Sequence, residues 1–166
     1  MKQIQKRAVL IALALAAGCQ FGLDMWVLPG STANNLTFGI ADGGPSGTAV
    51  RLHSIDVYRC ADIYDRGTGY YPCPNDAVWS AQAVPLNGAH RTNAITYGDA
   101  GTDVVNTRGP KPLDKPGCYV AIAYARDDHD VLRVATIGFH VLEDASVTQM
   151  ERSEYERVFS QRKPVG

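Results

Sequence analysis

Two alternating stretches, separated by five polar residues, constrain this chain more than anything else in it. Residues 119–125 set Val120, Ile122 and Tyr124 against small residues. Residues 131–142 carry Val131, Ala135, Ile137, Phe139 and Val141 on one parity. Between them lies Asp127-Asp128-His129-Asp130. Strand side chains point alternately to two faces, so period two marks a strand. Two such runs around a polar turn predict an antiparallel hairpin.

The same period runs upstream. Residues 36–40 predict a short strand, and 42–47, Asp-Gly-Gly-Pro-Ser-Gly, a loop. Residues 49–60 predict a longer strand. Val50 and Leu52 share one parity there, Ile55 and Val57 the other, which places a bulge near His53-Ser54. Residues 77–84, with Trp79, and 91–97, with Ile95 and Tyr97, predict two more strands. Residues 98–117 read as loop, with Pro110, Pro112 and Pro116. We therefore expect an all-β fold, a small antiparallel β-sandwich (Ig-like or transthyretin-like), over residues 36–166. Any helix is short and C-terminal: residues 146–159 offer Val147, Met150, Glu154, Tyr155 and Val158 at helical intervals, though short strand or coil fits nearly as well.

The first 18 residues belong to a different regime. Lys2, Lys6 and Arg7 precede ten apolar residues, Ala8 to Ala17. As helix that run spans about 15 Å, too short for a hydrocarbon core about 30 Å thick. A basic start, a short apolar run and small residues describe an export signal. Removing it changes the charge: 16 basic and 17 acidic residues become 13 and 17, a net −4 over 148 residues. That length suits one domain, and the mild acidity argues against nucleic acid as a partner.

Leu15-Ala16-Ala17-Gly18-Cys19 resembles the lipobox of bacterial lipoproteins, with Ala16 where that family prefers leucine. The resemblance implies cleavage before Cys19, diacylglycerol on its thiol and acylation of its new amine. Several acyl chains make a stable membrane anchor. In Gram-negative members of the family it resembles, a residue such as Gln20 in place of aspartate implies the outer membrane over the inner, on the periplasmic face. Residues 19–35, ending near the breaker run Pro29-Gly30-Ser31, then read as a partly ordered lipidated tether.

An exported chain meets an oxidising compartment, so Cys60, Cys73 and Cys118 should form one disulfide and leave one thiol over. Cys60–Cys73 is the favoured pairing because it closes a short loop; closing about 15 residues contributes roughly 3 kcal/mol. Cys60–Cys118 is the alternative, since Cys60 ends one predicted strand and Cys118 begins another. No C-x-x-C pair or histidine spacing supports zinc.

The remaining chemistry is sparse. Asp127 to Asp130 lacks the calcium-loop pattern and reads as a solvated turn. His53, His90, His129 and His140 form no metal or catalytic motif, and His140 points away from the Phe139 face. There is no G-x-S-x-G. Ser160 to Lys163 matches S-x-x-K without its partner motifs. We expect no catalytic residue, metal or cofactor. The loop at 62–71 carries Tyr64, Arg66, Tyr70 and Tyr71, residue types favoured as interface anchors. It is the candidate partner-binding segment.

Residues 116–122, Pro-Gly-Cys-Tyr-Val-Ala-Ile, through 137–141, Ile-Gly-Phe-His-Val, resemble small periplasmic lipoproteins proposed as immunity proteins for type VI secretion effectors. The resemblance implies a non-catalytic protein that binds and blocks a toxin. A structural lipoprotein of an envelope or secretion complex is the alternative expectation, and a periplasmic enzyme a distant third.

Overall fold

The structure, a computed structural model, describes residues 22–65, 70–72, 76–84, 91–99 and 101–160. Two antiparallel sheets face each other. The small sheet runs β1 (Leu23–Val27), β2 (Thr37–Asp42), β8 (Ala94–Thr96). The large one runs β12 (Val147–Gln149), β11 (Leu132–Val141), β10 (Gly117–Arg126), β3 (Val50–Arg59), β6 (Trp79–Ala83), β9 (Val104–Arg108), with β7 (Arg91–Thr92) also on β3. A separate two-stranded hairpin joins β4 (Ile63–Asp65) to β5 (Tyr70–Pro72), and one helix, α1 (Arg152–Ser160), ends the described chain. The all-β sandwich expected from the alternation is the fold found.

The predicted hairpin is β10–β11, paired from Gly117↔Val141 to Arg126↔Leu132. Its buried face is the alanine one. Ala121, Ala123 and Ala125 point into the core with Ile137, Phe139 and Val141, while Ile122 and Tyr124 lie half-buried on the outer face. Small residues on this central strand leave room for bulk from its neighbours. Phe38 of β2 meets Phe139 edge-on at 5.6 Å, and Tyr119 stacks on Phe139 at 5.5 Å. These rings join the two sheets, each pair contributing about 0.5–1.5 kcal/mol beyond the area it buries. The expected bulge is present: Tyr124 faces Ser54 and Ala125 faces Leu52, so His53 is the extra residue.

Three expectations about the strands need correction. Residues 22–35 are part of the domain. β1 pairs with β2 along its length, Met25 and Ala33 are buried, and the Ser31 hydroxyl hydrogen-bonds the Thr37 backbone. Apolar residues at 23, 25 and 27 give β1 a face that packs on the core. Residues 91–97 form two strands, since the chain crosses between sheets at Asn93: Arg91 pairs with β3, Ile95 with β2. The stretch read wholly as loop, 98–117, contains β9 on the edge of the large sheet. The short C-terminal helix expected over 146–159 is present as α1, preceded by the short strand β12.

The disulfide is Cys60–Cys118, not Cys60–Cys73. Tyr119 pairs with Arg59, and one step further the antiparallel register puts Cys118 opposite Cys60, with Cα atoms 5.4 Å apart. That separation is within the normal range for a bridge. Cys73 lies outside the described residues. The bonded pair joins a second core on the outer face of the large sheet, with Tyr58, Ile63, Val120 and Met150.

Candidate functional site

The tyrosine segment grows directly from the disulfide. β3 ends at Arg59, Cys60 to Asp62 make one 3-10 turn, and β4 begins at Ile63. Ile63 is buried in the second core and fixes the hairpin's root. Backbone pairing sets Tyr64 opposite Tyr71 and Asp65 opposite Tyr70. Thus three of the four candidate binding residues sit on one β-hairpin. Arg66 lies outside the described residues, as does Cys19, the candidate lipid site.

The opposite end of the sandwich carries an arrangement that the sequence did not reveal. Asp127 is 3% exposed. Its Oδ1 accepts the backbone N–H groups of His129 and Val131, both at 2.9 Å, and its Oδ2 accepts Arg133 Nε at 3.0 Å. A short acidic side chain that turns back on its own backbone is how aspartate builds turns. It lets Asp130 take φ 64°, a region aspartate tolerates better than most residues. The hydrogen bond from Val131 does most to hold the Asp127 carboxyl below the usual carboxylate range; burial opposes it, and Arg133 and His129 assist.

The other acids of the turn also have cationic partners. Asp128 pairs with Arg91. Asp130 takes Arg51 at 2.5 Å through its carboxylate and Arg126 Nη1 at 2.8 Å through its carbonyl oxygen. Arg51 and Arg126 are cross-strand neighbours on β3 and β10, which is why both reach Asp130. The turn read as solvated is therefore an ion-paired, partly buried cluster. Four arginines from four separate segments converge on it, and only the strand pairing brings them together. Among the described residues no group of three or more His, Cys, Asp or Glu could hold a metal ion.

A cleft of about 520 Å³ runs between this turn and the glycine loop after β2. Asp42, Gly43, Gly47 and Thr48 form one wall; Asp127, Asp128, His129 and Arg133 form the other. The Gly43 N–H donates to the Gly22 carbonyl at 3.3 Å, so the first described residue of the chain is pinned to the same end. The positive φ of Gly43 and Gly44 (87° and 84°) is what the loop needs to turn back along β2.

On the outer face of the large sheet, Asp56 lies between Ile122 and Ser80 in the ladder. Burial pushes its carboxyl up, opposed by a hydrogen bond with Ser80. At the far end His140 Nε2 lies 3.0 Å from Glu154 of α1, on the face opposite Phe139. No family model, curated protein or solved structure matches this chain.

Proposed function

We propose that this chain is a lipid-anchored envelope protein whose β-sandwich binds a protein partner, in the manner of an immunity protein that neutralises a secreted toxin. The observation that carries the reading is the export signal ending in Leu15-Ala16-Ala17-Gly18-Cys19. The Cys60–Cys118 bond supports it, because such bonds persist outside the reducing cytosol. The β4–β5 hairpin, rooted by Ile63 beside that bond and bearing Tyr64, Tyr70 and Tyr71, supports the binding role. The reading assigns the chain no reaction and no cofactor.

Two experiments test it. Cys19→Ser should move the protein from the membrane fraction to the soluble periplasm; equal membrane retention of both forms refutes the anchor. Cells that export the product of the neighbouring gene to the periplasm should survive only when this chain is co-produced. Survival that does not depend on the chain, with stable incorporation into an envelope complex instead, turns the binding role into a structural one.

A further inference from the structure

We propose that the tip of the β10–β11 hairpin seats on the lipid surface, so that the disulfide end and the β4–β5 hairpin face away from the membrane. The inference rests on the lipid-anchor reading of Cys19. It follows from how little chain separates that residue from the fold. Only Gln20, Phe21 and Gly22 stand between Cys19 and β1. Four peptide steps reach at most about 14 Å. An anchor this close does not let the domain wander; it selects the end of the sandwich at which the chain enters.

That end is defined by pairing. Leu23 faces Asp42 on β2, Asp42 lines the cleft with Asp127 and Arg133, and Gly22 is hydrogen-bonded to Gly43. The chain therefore enters beside the Asp127 to Asp130 turn. Exposed apolar side chains cluster at the same place. Val131 is 46% exposed, Leu132 45% and Val134 51%, with Leu132 and Val134 next to each other on the outer face of β11. Isolated exposed apolar residues are ordinary, whereas a group of them at one tip marks a contact surface. Half-buried Tyr124 extends the group, opposite Val134 on β10.

The charges of the tip allow the contact. Its acids are matched by arginines: Asp127 by Arg133, Asp128 by Arg91, Asp130 by Arg51 and Arg126. Pairing limits the repulsion that a bare acidic turn would feel from anionic headgroups. Seating is then driven by apolar contact, with the acyl chains supplying the attachment. β10 runs eight steps from Arg126 to Cys118, about 27 Å at the rise of a strand. The disulfide and the root of the β4–β5 hairpin lie at the other end of that strand.

The test uses the full-length acylated protein in vesicles of phosphatidylethanolamine and phosphatidylglycerol. A Cys73→Ser background carries an environment-sensitive dye on either Leu132→Cys or Glu143→Cys. Glu143 is exposed just beyond the far end of β11. Quenching by nitroxide lipids should place the dye at 132 within the headgroup boundary, about 5–10 Å deep, and leave the dye at 143 in water. A vesicle-bound protein with the 132 dye in water, or with the 143 dye in lipid, overturns the orientation and leaves the anchor standing. If wild type and Cys19→Ser bind the vesicles equally, the anchor itself fails and this inference falls with it.

Discussion

Removing the Cys60–Cys118 bond should cost the domain about 4 kcal/mol. The bond joins residues 58 apart. The chain-entropy relation for a closed loop of that size gives about 4 kcal/mol, against about 3 for the short 60–73 loop. The β3–β10 ladder should survive the loss, because Tyr119 to Arg126 remain paired with β3. The effect therefore acts mainly on the unfolded chain, which regains the freedom that the bond removed. The assay is urea unfolding of the domain from Gln20 onward, as wild type and as Cys60→Ala/Cys118→Ala. With a slope near 2 kcal/mol per molar, the midpoint should fall by about 2 M at unchanged slope. Non-reduced peptide mapping should link the peptides of residues 60 and 118. A midpoint loss equivalent to under about 1 kcal/mol would show that the unfolded chain is already constrained and refute the entropic argument. A Cys60–Cys73 link in the map would refute the register argument.

Three further outcomes follow from single sites. Phe139→Ala empties the ring that contacts both Phe38 and Tyr119; calorimetry and urea unfolding should show a loss of about 3–5 kcal/mol, and a loss near that of a surface residue would contradict the inter-sheet role. At Gly39 an added Cβ would lie inside the Trp26 indole, so Gly39→Ala should cost about 1–3 kcal/mol by overpacking. Adding Trp26→Ala should make the pair less damaging than the sum of the singles, and strict additivity argues against the contact. Asp127→Asn should lower the melting temperature at neutral pH. The folded pKa of Asp127 is depressed below 3.8, so its contribution is present above the unfolded value and fades as pH falls through the folded one. The gap between wild type and variant should close on the acid side of 3.8, and a gap independent of pH would remove the charge from the explanation.

What was legible in the sequence divides along physical lines. β10 and β11 were legible because each carries a run of alternating residues within a ten-residue strand, and the bulge at His53 because it breaks a parity. The period did not say which face is inside. Ala121, Ala123 and Ala125 look like the weaker face, yet they are the buried one, because bulk comes from Ile55, Phe139 and Ile137 on either side. β9 escaped notice because an edge strand buries little: Val105, Asn106 and Thr107 are exposed, so no alternation was required of them. Asn93 hid a crossing between sheets within what looked like one strand. At the tip, the convergence of Arg51, Arg91, Arg126 and Arg133 on the turn is a property of strand register, which composition does not carry.

The position of the disulfide changes what holds the tyrosine hairpin in place. A Cys60–Cys73 bond would have fastened the entry of that segment to its exit and fixed the loop as a closed ring. Cys60–Cys118 fastens only the entry, to the neighbouring strand. Among the described residues the return is held by the β4–β5 pairing, Ile63↔Pro72 to Asp65↔Tyr70, and by burial of Ile63. Two short strands are marginally stable in water on their own. The hairpin's order therefore depends on its root against Tyr58, Val120 and Met150 more than on its own hydrogen bonds. A partner that grips Tyr64, Tyr70 and Tyr71 would meet a surface whose root is the buried Ile63. Affinity should accordingly be sensitive to packing around Ile63, a residue that the partner itself need never touch.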